Sequence, residues 1–578
     1  MASKFIIVQP GDGELAEGSA PRRRSFVEAT LDRHDASVLD PHVAHTVSDW
    51  PSPMPSVYRK RTLLLPHDLH EESALSALNE VLAEAGMRMA SLRSHTSVVS
   101  GEAARKLQRP VVLVPAGQPG ADGEVDAWQA LATLRKAAGQ SGSAGSAGKP
   151  ALDVEDVRRI SLEHLLVGAA ITGAPEVYGS PEIHGGPEIH GGPEIHGGGP
   201  ATSPAVARSY LYGGRDSRTP VDLFVDAPAR KSLAECAHQY GRRPVIAVPD
   251  TGIRANPWLG VTTTGEDPGG MPADGPVRFD QDIQDAIYAY ENQAVDAGDL
   301  QHELISGPWD EPVTLDKLVG EVAPYAGHGT FISGIIRQIV PDATVLSIRV
   351  MHSDGIIYEG DLLLALELLA ARVAEAQKDG DPSRMIDAIS MSFGYFNESA
   401  ADVSYTSGLR HIIDMLLDAG VVVTAAAGNF ATSREYYPAA FAGKEPTAIP
   451  LMSVGALNPN GSRAIFSNGG RWVTAWAPGA AVISTYPVDV NGAIQPDLRV
   501  AHESRESFDF DDFRSGFAAW SGTSFAAPTM AAKLVRTMLE PLQGSPPDDQ
   551  HSLRLDRTGA QDAVRRVQHA IRRLQAPE

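Results

Sequence analysis

A single cysteine, Cys236, stands among 578 residues, so no intrachain disulfide can form and nothing demands an oxidising compartment. No stretch approaches the ~18 consecutive apolar residues of a membrane-spanning helix. The opening MASKFIIVQPGDGEL has only a short apolar run and lacks the core of a secretory leader. Positive charge is scarce as well: 49 Lys and Arg stand against 72 Asp and Glu, for a net charge of −23. That balance excludes a general nucleic-acid binder, which carries a basic face. These absences imply a soluble, cytoplasmic chain with no nucleic-acid and no membrane partner, and leave the oligomeric state open.

What is present is an ordinary apolar fraction, 43%, enough for a real core in two to four domains. Residues 1–57 are polar and rich in proline and charge, and are expected to form a loosely ordered extension. From residue 58 the pattern turns regular. RTLLL (61–65), RMASLR (88–93), RPVVLVP (109–115) and RRISLEHLLVG (158–168) suit strands. Between them, 72–86 places Leu75, Leu78, Leu82 and Ala85 on one helical face, and 125–139 does the same with Val125, Trp128, Leu131 and Leu134. The order β-α-β-β-α-β over 58–172 predicts a small ferredoxin-like α+β sandwich.

Residues 173–208 follow, carrying PEVYGS and three copies of PEIHGG. His184, His190 and His196 recur at equal spacing, which suits a metal-binding tract. Half of each unit is Gly or Pro, which cannot pack a core, so the tract is taken as a linker and no metal or other cofactor is assigned. From 209 to 545 buried-type strands (243–250, 344–351, 388–393, 420–428) alternate with helices (360–378, 406–419, 524–539). This predicts an α/β domain with a mostly parallel sheet flanked by helices. Residues 546–578 read as a helical tail.

Three stretches of this second domain carry reactive types beside small residues. VPDTGI sets Asp250 at the end of a strand, and AGHGTFISGII sets His328 at the start of a helix between two glycines. AAWSGTSFAAPTMAA sets Ser524 before a run of small residues, with Pro528 inside the first turn of the helix. Each has a plain alternative: a turn Asp, a loop His, a helix-capping Ser. Together they supply an acid, a base and a nucleophile. A serine hydroxyl needs a neighbouring base, histidine serves near neutral pH, and a carboxylate fixes the ring tautomer. AAAGNF adds Asn429 after a strand, as an oxyanion donor beside the Ser524 N–H.

The order Asp, His, Ser, with DTGI, HGT and GTSFAAP, resembles the subtilisin-like serine proteases over roughly residues 240–540. NPWL, ISMSFG, AAGN, YYPAAF and WVTAWAPG are similar to further segments of that family. The resemblance implies a serine endopeptidase acting on peptide or protein substrates through an acyl-enzyme. Asp250, His328 and Ser524 would be catalytic, Asn429 would complete the oxyanion hole, and Ser392, Phe393 and Gly394 would pair with substrate backbone. An inactive binding or scaffold protein on the same fold is the alternative.

The chain departs from the family in the long insert between Asp250 and His328, expected to decorate the site's rim. It also lacks the Asn-containing loop that binds calcium in many relatives, so chelators are expected to leave activity unchanged. HESRESFDFDDF (502–513) suits either an acidic rim or a solvated loop. The 58–172 sandwich resembles the propeptides preceding such enzymes, which dock on the catalytic domain. A cut that frees it is expected between about 173 and 240. A permanent substrate-recruiting or partner-binding module is the other reading of this domain.

Overall fold

The computed structural model describes residues 26–171 and 218–575, apart from 49, 91–106, 118–124, 141–151, 266–273, 300–301, 313–319, 321, 400–406, 445–446, 494, 501–504, 541–552 and 554–558. The PEIHGG repeats with their three histidines lie outside the described residues.

Strands Ser56–Pro66, Met87–Ala90, Gln108–Pro115 and Ser161–Gly168 alternate with helices Glu72–Ala83 and Ala127–Gln140 in the β-α-β-β-α-β succession. The strands pair antiparallel, in the spatial order Ser161–Gly168, Ser56–Pro66, Gln108–Pro115, Met87–Ala90. The helical faces marked by spacing point inward. Leu78, Leu82, Trp128, Leu131 and Leu134 are buried with Leu63, Leu65, Val111, Leu113 and Leu162 in a core of their own. Gly86 stops its helix with a φ of 74°, a conformation that favours glycine.

Order begins earlier than the polar sequence of 1–57 suggests. Phe26–Arg33 is helical, and Ala36–Leu39 pairs antiparallel with Ser56–Arg59. His34 is fully buried, its Nδ1 2.8 Å from the Tyr358 hydroxyl and its Nε2 2.9 Å from Asp354. This stretch is polar because its partners in the second domain are polar.

The second domain is built on seven parallel strands. Their order is Ala475–Pro478, Met452–Leu457, Val422–Ala426, Ala388–Met391, Val245–Asp250, Thr344–Arg349, Val277–Phe279. The near-continuous apolar runs are buried along their whole length at Ala388–Met391 and Val422–Ala426, as strands covered on both faces must be. Helices His328–Ile339 and Thr523–Met538 pack on each other and on the sheet. Glu359–Asp379 packs on Gln281–Asp296 and Ser407–Asp418. The insert after Asp250 does more than decorate a rim: it supplies the edge strand Val277–Phe279 and the helix Gln281–Asp296. In the acidic segment, Asp511 and Phe513 are buried. The tail helix Ala560–Gln575 packs on Thr523–Met538.

The two domains share a sheet. Ser161–Gly168 is an edge strand of the first and pairs antiparallel with Ile356–Tyr358 and Phe393–Gly394 of the second. Buried charge crosses the same interface. Arg59 reaches Asp299 at 2.7 Å, and Arg109 is paired with Glu367. His164 is enclosed, with Nδ1 2.8 Å from Glu359, Nε2 2.7 Å from Glu398 and its ring stacked on Tyr395. Burial alone would lower its pKa, but the two carboxylates outweigh burial and raise it to about 10. A group whose pKa rises on docking contributes its affinity in full below the free value of 6.5 and loses it as the pH climbs through the raised one. A separated N-terminal domain should therefore bind the rest of the chain more weakly as the pH goes from 6.5 toward 10, by up to ~tenfold per unit. Affinities measured at several pH values across that window check this, and His164→Gln should flatten the slope.

Candidate active site

Asp250 ends its strand and is buried; its Oδ1 accepts from the Thr251 N–H at 2.8 Å and lies 2.7 Å from His328 Nδ1. His328 is the first residue of its helix. Two glycines make the approach possible. Gly327 has a φ of 78°, and a Cβ there would press on Tyr486 and Pro487; a Cβ on Gly329 would overlap the Gly252 carbonyl. The Gly327 N–H donates to Asp310 at 2.6 Å. Burial pushes the Asp310 carboxyl up to about 6 against the opposing pull of that N–H. The rings of Tyr325, Trp520 and Phe525 surround the imidazole at 5.2, 5.5 and 5.6 Å. With Asp250 on Nδ1, the buried Nε2 faces the site without a hydrogen-bond partner among the described residues.

Ser524 is the second residue of Thr523–Met538. Its hydroxyl donates to the Ser392 carbonyl at 3.0 Å and not to His328. Asp250 and His328 are thus paired, while Ser524 sits in a rotamer held by Ser392. Pro528 lies beyond the first turn, not inside it. Having no N–H, it cannot bond the Ser524 carbonyl; that carbonyl instead accepts from the Ser392 hydroxyl at 2.8 Å.

Asn429 is fixed from the same helix. Its Oδ1 accepts from the Thr523 N–H and hydroxyl, both at 2.9 Å, which aims Nδ2 outward. That Nδ2 donates to the Ala169 carbonyl at 2.6 Å, and the Ser524 N–H donates to the same oxygen at 2.9 Å. The two donors therefore already hold a carbonyl, and it belongs to the chain itself.

The segment carrying it is the continuation of the shared strand. Gly168 N–H donates to Gly355 and Ala169 N–H to Ser392, each at 2.9 Å. Phe393 stands opposite Gly168, and Gly394 opposite Val167. Beyond Ala169, the Ile171 N–H donates to Ser521 at 2.9 Å, and Trp520 Nε1 donates to the Ile171 carbonyl at 2.7 Å. A Cβ on Gly522 would lie 2.6 Å from the Ala169 oxygen, so the bare glycine lets the segment reach Ser524.

Of the residues that spacing singled out, Ser524, Asn429, Ser392, Phe393 and Gly394 touch this segment, while His328, paired with Asp250, lies beside Tyr325 and Trp520. Tyr325, Gly355, Tyr436 and Trp520 also line the segment and were not foreseen. Tyr325 hydrogen-bonds the Gly168 and Ala170 carbonyls, and Tyr436 donates to Val167 at 3.1 Å. The available signal was position: Tyr325 lies three residues before His328, and Trp520 four before Ser524.

The site thus joins a strand-end carboxylate, Asp250, to the helix-start imidazole of His328, with Ser524 at the start of a second helix over the parallel sheet. Residues 241–554, more than half of the chain, match the Subtilase family, and the chain belongs to that family. Subtilisin amylosacchariticus of Bacillus subtilis subsp. amylosacchariticus is 30% identical over 180 residues, 30% of this chain and 43% of its own length. Subtilisin-like protease 3 of Saccharomyces cerevisiae is 26% identical over 218 residues, 35% of this chain and 42% of its own length. The chain thus spans less than half the length of these relatives. Among solved structures, a lanthipeptide protease is 17% identical, covering 56% of this chain and 87% of that one, with a TM-score of 0.31. A cold adapted subtilisin-like serine proteinase is 18% identical, covering 59% and 87%, with the same TM-score of 0.31.

The tightest point of the cleft generates a test. A Cβ on Gly168 would overlap the Tyr325 ring. Gly168→Val in the Ser524→Ala chain should expel the segment from the cleft. The amides of Gly168, Ala169 and Ile171 should then exchange with deuterium at least ~10-fold faster, while the core of the second domain stays protected. Unchanged protection would contradict the fit.

Proposed function

We propose that the chain is a serine endopeptidase using Asp250, His328 and Ser524, with Asn429 and the Ser524 N–H as the oxyanion hole, and that its first substrate is its own Ala169–Ala170 bond. One observation carries the reading: the Ala169 carbonyl accepts from both Asn429 Nδ2 and the Ser524 N–H. Those are the donors an acyl-transfer oxyanion requires. Ser392, Phe393 and Gly394 serve as the substrate-pairing strand.

The chemistry follows from the atoms. The Ser524 hydroxyl turns from the Ser392 carbonyl to His328 Nε2 and loses its proton there as Oγ bonds to the Ala169 carbon. Asp250 holds the Nδ1 proton and stabilises the imidazolium. Negative charge gathering on the Ala169 oxygen meets the two fixed donors. The imidazolium then gives its proton to the Ala170 nitrogen as the C–N bond breaks. Water repeats the sequence on the acyl-enzyme, leaving the Ala169 carboxylate and restoring Ser524.

This moves the expected cut from the Gly/Pro linker to Ala169–Ala170, and makes the N-terminal domain a docked propeptide-like domain rather than a recruiting module. The active chain should separate into fragments 1–169 and 170–578, seen by intact mass spectrometry. Ser524→Ala should stay whole, and Asn429→Ala should be cut ~10²–10³-fold more slowly, since its donor acts chiefly on the transition state. Equal cutting in Ser524→Ala, or none in the active chain, would favour the inactive-scaffold reading.

Tyr325 gives the substrate preference a cause. It covers the backbone at the residue preceding the acyl residue, so glycine is selected there. Peptides with the sequence Leu-Leu-Val-Gly-Ala-Ala-Ile should be cut at least ~10-fold faster, by kcat/KM, than the same peptide with Ala for Gly. Tyr325→Gly should shrink the difference. Equal rates on the two peptides in the unmodified enzyme would remove Tyr325 as the selector.

A further inference from the structure

Behind the edge of the cleft lies a buried group of side chains that the proteolytic chemistry does not use. Glu291 is on the helix Gln281–Asp296, His302 is in the loop that follows, and Asp361 is in the first turn of Glu359–Asp379. A carboxylate oxygen of Glu291, one of Asp361 and a ring nitrogen of His302 lie within 4.8 Å of one another. Glu291 and Asp361 are 0% and 1% exposed, and the His302 side chain 3%. With both carboxyls ionised, Glu291 Oε1, both oxygens of Asp361 and His302 Nε2 have no hydrogen-bond partner among the described residues; only a proton held between Glu291 and Asp361 would join those two. Orphaned polar atoms this deep are costly and rare, and four of them in one cluster require an occupant.

We propose that Glu291, His302 and Asp361 form a binding site for one divalent transition-metal ion of the zinc or manganese kind. One imidazole and two carboxylates are the donor set such ions take; calcium and magnesium prefer oxygen alone. The second shell agrees. His302 Nδ1 lies 3.1 Å from both Asp299 and Arg59; giving its proton to Asp299 would fix the ring as in carboxylate–histidine–metal sites and leave Nε2 its lone pair. Burial lowers the His302 pKa to about 4, keeping the ring neutral as a ligand must be. Burial also raises the Glu291 carboxyl to about 8 and lifts Asp361, the charge of Glu291 adding to the latter. Both are thus strained as anions without a cation between them. Arg59, 3.1 Å from His302 Nδ1, and Arg349 also act on the cluster. The ion would fasten the inserted helix and its loop to the helix that begins one residue after Tyr358, the end of the cleft's edge strand.

The rival occupant is a proton shared by Glu291 and Asp361, and one experiment separates the two. The full chain carrying Ser524→Ala, with His184, His190 and His196 changed to Gln to silence the repeat, is stripped with a chelator. It is then dialysed against zinc or manganese and desalted. We expect about one ion per chain by elemental mass spectrometry and a rise in melting temperature of roughly 5 °C. Asp361→Asn and Glu291→Gln should each lose the ion and the rise. Their metal-free melting temperatures should be no lower than the parent's, since each variant relieves a buried carboxylate pair. A parent that holds no ion, variants that hold it equally, or a rise produced equally by calcium or magnesium would each overturn the site. Because Ser524→Ala is inert by design, failure here is independent of whether the chain is a protease.

Discussion

The Ala169 carbonyl, gripped by Asn429 and the Ser524 N–H, is the contact on which the arrangement of the molecule depends. To deliver that oxygen, the shared strand must leave the small domain in register with both walls of the cleft. Gly168, Gly355 and Gly522 must all lack side chains where the segment passes. The same helix that presents Ser524 also orients Asn429 through Thr523, so the two residues cannot drift apart independently. Rigid placement of this kind supplies the preorganisation that acyl transfer needs.

Around that contact the interface is held by charge buried to an unusual degree. Arg59 and His164 are buried against Asp299, Glu359 and Glu398. Such pairs add specificity more reliably than stability, because removing either member strands its partner in a low-dielectric interior. Within the polar lead-in 26–57, Arg33, His34, Met54, Pro55 and Ser56 contact the second domain.

Much of this was legible in the sequence, for identifiable reasons. Asp250, His328 and Ser524 stand out because each sits beside glycine or other small residues. The strands of the second domain show as apolar runs because both faces are covered. The helices of the small domain show as a 3.6-residue stripe. Other features were hidden. The order of 26–57 rests on partners hundreds of residues away, such as Tyr358 for His34. Val277–Phe279 is too short to stand out among turns. Gly168–Ile171 looks like the small-residue end of a strand, and only its pairing with Phe393 and Gly355 marks it as the occupant of the cleft.

The eight residues Ser161–Gly168 serve two structures at once, as an edge strand of the small domain and the central strand of the cleft's ribbon. Breaking the Ala169–Ala170 bond removes no hydrogen bond from that ribbon. The severed strand cannot peel away alone, because its other edge is stitched to Ser56–Pro66. Either the whole domain lifts off at once, stripping its buried charges together, or it melts in place. On the proposed reading, the duration of latency after the cut is a clock set by the kinetic stability of a small α+β fold. Under that proposal, substitutions in the fold's separate core, far from Ser524, would change when activity begins without changing its rate.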